Sequence, residues 1–282
     1  MMPLSQQLER SLSNSAEHIR ERLSGPVQTA FIGRPGMGLT HESFEETWQS
    51  PYTGIPDYPV RGSSGLNGGI TELRHQDRGL LVFSRRPHLY EGYEEWELGY
   101  PVHLAAALGV SNLLTFSTAG GLKGSYYPGL IVLIEDFINF AQVSPLRGLR
   151  DKADANLFVS MHGMVAPALA KLAQRAAEEL GERLSWGTYL MVRGPQFETP
   201  AELGTFASMG AELIGMSTVP ELICAKAHGL RTLPLALITN MPLQAPADDK
   251  QVEAELSRAS ERVSTLLNRI IDLLYGDADD AR

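Results

Sequence analysis

The chain has 282 residues, 43% of them hydrophobic and 20% charged, with a formal net charge of −9 and an isoelectric point near 5.3. That length lies near the upper end for one domain, and the balance suits a soluble globular protein with a substantial core. The acidic total comes with no basic stripe, which argues against a duplex nucleic acid partner, so an anionic ligand would have to be met by a local pocket of Arg, His and backbone N–H groups.

Residues 1–23 are polar and amphipathic, read as an N-terminal helix, and carry no apolar signal core. Apolar runs of strand length then recur: VQTAFIG (27–33), GITEL (69–73), GLLVFSR (79–85), SNLLTFS (111–117), GLIVLIEDF (129–137), GTYLMVRG (187–194) and LPLALITN (233–240). Helical patterns fall between several of them, at 93–109 and at 164–181, the second ended by Gly181. A last helix is expected over about 249–274, with a disordered tail at 275–282. Val/Ile/Leu-rich strands alternating with amphipathic helices predict an α/β fold, with a mixed, largely parallel central sheet flanked by helices. Without repeats, linkers or a shift of composition, residues 1–282 read as a single domain.

No run approaches the ~18 apolar residues of a membrane span, so no membrane partner is expected and the cytoplasm is the expected compartment. The single cysteine, Cys224, forms no internal disulfide and sits in a pattern that reads as a buried helix position. No Cys/His spacing suggests a metal.

Polar or glycine-rich pairs follow five of the strands: Gly33-Arg34, Arg85-Arg86, Ser117-Thr118, Arg193-Gly194 and Thr239-Asn240. In open α/β sheets ligands bind outside the carboxyl ends of strands, so these places are candidates for one shared site. The first loop reads G-x-x-G-x-G, which serves either as a tight turn or as a cradle of amides for a phosphate. In SRRPHLYEGY (84–93), Arg86 offers a rigid fork of donors suited to phosphate and His88 adds another. FSTAGGL (116–122) can expose the N–H groups of Thr118 and Ala119, or be a simple turn. In RGPQFETPAE (193–202) the Phe197 ring could pack on a flat heterocycle while Glu198 accepts its N–H donors. Ser217 supplies a small hydroxyl beside Met216, and Asn240 an amide that both donates and accepts.

Taken as an ordered set, RRPHLYEGY, STAGGL, SPLRG, GTYLMVRGPQFET, GAELIGMSTVPE and LITN closely resemble the trimeric purine nucleoside phosphorylases, across about residues 27–265. The resemblance implies cleavage of 6-oxopurine ribo- and deoxyribonucleosides by orthophosphate, giving free base and pentose 1-phosphate. It assigns phosphate to Arg86, His88, the Thr118 backbone and Ser217, and the ribose to Tyr90 and Met216. Phe197, Glu198, Ile214, Met216 and Asn240 would meet the purine, with Tyr189 near it. His88, Glu198 and Asn240 would carry the catalysis. Phe158 falls where the family uses an aromatic to close a neighbouring subunit's site, which implies a homotrimer. Phosphate is a co-substrate, and no metal or organic cofactor is implied.

Four departures stand out against the family pattern. The glycine loop usually carries a serine whose hydroxyl meets phosphate, and GRPGMG puts Arg34 or Pro35 there. With Arg34 turned inward, a charged fork would replace that hydroxyl. Leu66 stands where a histidine is usual, and Ser117 where an asparagine is. Beyond Asn240 the connection is short, the histidine for the ribose 5′-hydroxyl is missing, and Asp249 is the nearest aligned candidate. The leading expectation is a phosphorylase of inosine and guanosine. The alternatives are a phosphorylase of 5′-modified nucleosides such as 5′-methylthioinosine, or a purine-binding homologue with impaired catalysis.

Overall fold

The computed structural model describes residues 3–33, 39, 44–61, 67–75, 77–149, 158–246 and 248–276. Among them the strands are β1 (Val27–Ile32), β2 (Glu45–Pro51), β3 (Gly69–His75), β4 (Arg78–Phe83), β5 (Asn112–Gly121), β6 (Ile131–Asn139), β7 (Leu184–Met191), β8 (Leu213–Gly215) and β9 (Arg231–Asn240). The helices are α1 (Leu4–Arg20), α2 (Glu95–Leu98), α3 (Tyr100–Ala107), α4 (Pro167–Leu180), α5 (Pro200–Ser208), α6 (Val219–Ala227) and α7 (Asp249–Gly276).

One sheet holds these strands in the order β2-β3-β4-β1-β5-β8-β7-β6-β9, and β9 also pairs with β5. That extra pairing closes β5, β8, β7, β6 and β9 into a ring, so one half of the sheet is an open blade and the other a small barrel. Pairing is parallel for β4–β1, β1–β5, β5–β9, β6–β7 and β7–β8. It is antiparallel for β2–β3, β3–β4, β5–β8 and β6–β9. The sheet is therefore mixed with a parallel majority, as its apolar runs predict.

Register decides where the site can form. In β4–β1 Phe83 lies opposite Ile32, and in β1–β5 Ile32 lies opposite Thr115. In β5–β9 Thr118 lies opposite Leu237 and Gly120 opposite Asn240, past a register shift after Ala119. Four parallel neighbours thus end along one edge, bringing together Arg85-Arg86, Gly33, Ser117-Thr118 and Thr239-Asn240.

Helices cover the sheet through matched faces. α4 buries Leu169, Ala170, Ala173, Ala176 and Ala177, and this mostly small-residue face lets α7 approach with Val263, Leu266, Leu267, Ile270 and Ile271. Each large aliphatic buried there stabilises the fold by about 1.5–3 kcal/mol. Pro167 opens α4, and Gly181 at φ 67° closes it in the left-handed conformation that suits glycine. The end of α7 corrects the sequence reading: the helix continues to Gly276. Tyr275 is 4% exposed and its hydroxyl donates to the Gly79 carbonyl at 3.2 Å, so burial of that ring anchors the last turn of the helix. Residues 277–282 lie outside the described residues. Among the described residues no helix is long and apolar enough to cross a membrane.

Candidate active site

A cavity of about 210 Å³ opens along the edge where the parallel strands end, far more than the ~10–15 Å³ one water takes by the same measure. Its lining includes Gly33, Arg86, His88 and Tyr90 from the β1 and β4 ends, Ser117 and Thr118 from β5, and Asn240 from β9. Phe197 and Glu198 reach it from the segment after β7, and Ile214, Met216 and Ser217 from β8 and the turn after it. The first turn of α7 adds Asp249, Val252 and Glu253. The sequence candidates from Arg86 to Asp249 are therefore in one place, apart from Phe158, Tyr189 and the Arg193-Gly194 pair. Arg34, Pro35 and Leu66 lie outside the described residues.

Arg86 and His88 are each held by a carboxylate: Glu221, to which the sequence assigns no role, and Glu91, which lies in the same SRRPHLYEGY stretch as His88. Arg86 is 7% exposed; its Nε donates to Glu221 Oε1 at 2.7 Å and its Nη2 to the Ile32 carbonyl at 3.0 Å. His88 is tied to Glu91, whose Oε2 accepts the His88 backbone N–H at 3.0 Å and lies 3.2 Å from Nδ1. The imidazole also stacks on Tyr90, with ring centroids 4.8 Å apart. Glu91, three residues after His88 in a one-turn helix, was visible as a spacing, whereas Glu221 is 135 positions from Arg86 and had no local signal.

The turn carrying Ser217 is strained. Thr218, 1% exposed, has φ 68° and ψ −48°, and the Val219 N–H returns to the Ser217 carbonyl at 2.8 Å. This is the uncommon γ-turn with positive φ, a conformation that costs a β-branched residue about 1–3 kcal/mol and persists where surroundings impose it. Here the surroundings are the buried Thr218 side chain and Tyr189. The Tyr189 hydroxyl accepts the Ser217 N–H at 3.2 Å, and burial raises its own pKa to about 12. Tyr189 is thus a wall behind the turn and does not line the cavity. A Cβ on Gly194 would strike the Met216 sulfur, and its φ of 66° also requires glycine.

At the purine-type candidates, burial raises the Glu198 carboxyl above its ordinary pKa; a bond to its own backbone opposes the shift and the Glu202 charge adds to it. Asn240 is 5% exposed, and its Oδ1 accepts the Thr239 hydroxyl at 3.1 Å, which leaves the amide N–H₂ to face a ligand. Phe197 is 42% exposed, so its aromatic face stands at the mouth of the cavity. Phe158 is 91% exposed and lies outside its own chain's cavity. Cys224 is fully buried on α6 with its Sγ 3.4 Å from His103 Nε2, apart from this site.

A closed half-barrel with donors gathered at the strand ends defines a family. Residues 35–272 match the family model of the phosphorylase superfamily. Purine nucleoside phosphorylase 1 of Geobacillus stearothermophilus is 33% identical over 231 residues, 82% of this chain and 84% of its own. Solved structures of the Schistosoma mansoni purine nucleoside phosphorylase superpose with a TM-score of 0.84. The complex with inosine is 28% identical, covering 93% of this chain and 95% of its own. The complex with adenosine is 29% identical, covering 93% and 96%. The chain belongs to the phosphorylase superfamily and, within it, to the purine nucleoside phosphorylases, which are pentosyltransferases.

Proposed function

We propose that this enzyme cleaves 6-oxopurine nucleosides, inosine and guanosine above all, with orthophosphate as co-substrate. The observation that carries the choice of purine is Glu198 beside Asn240 in a cavity that also holds Arg86, His88 and Ser217. Relatives solved with inosine and with adenosine leave the purine open at the level of the fold, so the side chains decide it.

Phosphate rests on Arg86, His88, the Thr118 N–H and the Ser217 hydroxyl. One of its oxygens bonds to C1′ of the sugar as the C1′–N9 bond breaks, and the bonding pair leaves with the purine. The transition state places positive charge on the sugar, next to the phosphate dianion, and negative charge on the base. The Asn240 amide donates to N7 as that nitrogen gains charge, an interaction strongest in the transition state. Glu198, ionised, accepts from N1–H, at about 1.5–3 kcal/mol for a bond to a charged group. Adenine presents a lone pair at N1, which repels that carboxylate. Phe197 packs on the base, with Ile214 and Met216 beside it, while Tyr90 and Met216 contact the ribose.

The 5′ end of the sugar meets the first turn of α7. Asp249 and Glu253 there favour a hydrogen-bond donor such as the 5′-hydroxyl over a thioether, which argues for the inosine reading against the 5′-methylthio one. Phe158 closes the cavity of a neighbouring copy in a homotrimer. The test is a comparison of kcat/KM for inosine, guanosine, adenosine and 5′-methylthioinosine. A preference for inosine and guanosine over adenosine of about a hundredfold is expected; equal use of adenosine, or a tenfold advantage for 5′-methylthioinosine, would overturn it.

A further inference from the structure

α5 and α6 open with the same local sequence, Thr-x-x-Glu with a proline in the first turn, and use it differently. At α5 the motif is a reciprocal cap: the Thr199 N–H donates to Glu202 Oε2 at 2.8 Å, and the Glu202 N–H donates to Thr199 Oγ1 at 3.3 Å. At α6 Thr218 makes no side-chain cap, its positive φ directs the chain elsewhere, and Glu221 does not return to the helix start. The Glu221 carboxylate turns instead to Arg86, in a pair that is almost wholly buried, with the two side chains 3% and 5% exposed.

We propose that Glu221 is a positioning residue for phosphate capture, fixing the Arg86 guanidinium so that its remaining N–H groups face the cavity. This rests on the phosphorolysis reading above. Glu221 Oε1 and the Ile32 carbonyl take the Nε–H and one Nη2–H of Arg86, and two acceptors fix the plane of a rigid fork. Glu221 Oε2 is buried and has no hydrogen-bond partner among the described residues. Native structures seldom leave a buried carboxylate half satisfied, and a carboxylate kept only for helix stability would have capped α6. What the arrangement secures is the direction of Arg86. It also couples that direction to the turn carrying Ser217, four residues earlier on the same segment.

Steady-state kinetics with inosine, varying phosphate and nucleoside separately, test this. Glu221→Gln keeps the shape and an acceptor but loses the charge-assisted bond, and it is expected to raise the KM for phosphate at least fivefold while the KM for inosine stays within twofold. Glu221→Asp keeps the charge but withdraws the oxygen by one methylene, and it is expected to show the same selective loss should the amide variant fail to fold. Glu202→Gln, at the true cap, is expected to leave the phosphate KM within twofold. An unchanged or lowered phosphate KM in Glu221→Gln would overturn the positioning role, as would an equal rise in both KM values, or a matching rise in Glu202→Gln. Wild-type enzyme that turns over inosine without consuming phosphate would instead overturn the phosphorolysis reading itself.

Discussion

The Thr239 hydroxyl donates to Oδ1 of its neighbour Asn240 at 3.1 Å and also lies 3.4 Å from the Ala119 carbonyl on the paired strand β5. An amide side chain has two faces, and occupying the acceptor face turns the donor face to the ligand. In the proposed reaction that donor meets purine N7. Thr239→Val keeps the volume and removes the hydroxyl, a bond of about 0.5–1.5 kcal/mol. The expected result is a fall in kcat of about two- to tenfold with little change in the KM for inosine. A larger KM effect than kcat effect would contradict this role.

Glu91 holds His88 through both the backbone N–H and the ring. Glu91→Ala frees the imidazole to leave the phosphate position. The expected effect is a rise of several-fold in the KM for phosphate, with the KM for inosine nearly constant. Titrating phosphate at saturating inosine checks it.

Glu198 combines an activity gain with a stability cost. Its folded-state pKa is raised, chiefly by burial, above the ~4.3 of a free glutamate. Between those two values the native state binds more protons than the unfolded chain, so stability falls as pH rises through the window and stays lower above it. Glu198→Gln removes that penalty and weakens the contact to N1–H by about 1–2 kcal/mol. The variant is expected to lose about five- to thirtyfold in kcat/KM for inosine yet to melt higher than wild type at neutral pH, with the gap closing below pH ~4. Thermal melts at several pH values read the second half of this prediction.

Much of this architecture is legible in the sequence because the buried strands are continuous apolar runs. β1, β4, β5, β6, β7 and β9 all follow from such runs, and the polar pairs at their ends mark four of the cavity's walls. β2 does not: EETWQSP is charged and half exposed because it forms the sheet's edge, where an apolar pattern is unnecessary. β8 is three residues long and too short to carry a period. One site carboxylate, Glu221, was hidden for another reason. Glu221 reads locally as a helix cap, and only the long-range pairing of Arg86 with α6 reveals its use. Arg193-Gly194, the fifth strand end, does not line the cavity; the chain passes it and delivers Phe197 and Glu198 a few residues later.

The capping box at α5 is expected to act on stability alone. Thr199→Ala removes the side-chain acceptor for the Glu202 N–H and costs about 1 kcal/mol. For a chain of this size that corresponds to a drop in Tm of about 2–4 °C, read by calorimetry, with the KM for phosphate unchanged.

In the proposed reaction phosphate, not water, receives the pentose. The decisive measurement is inosine turnover across a phosphate titration, with hypoxanthine and ribose 1-phosphate both quantified. Equimolar formation of the two products is expected, saturating with phosphate and negligible without it. Hypoxanthine released with free ribose in the absence of phosphate would contradict phosphorolysis.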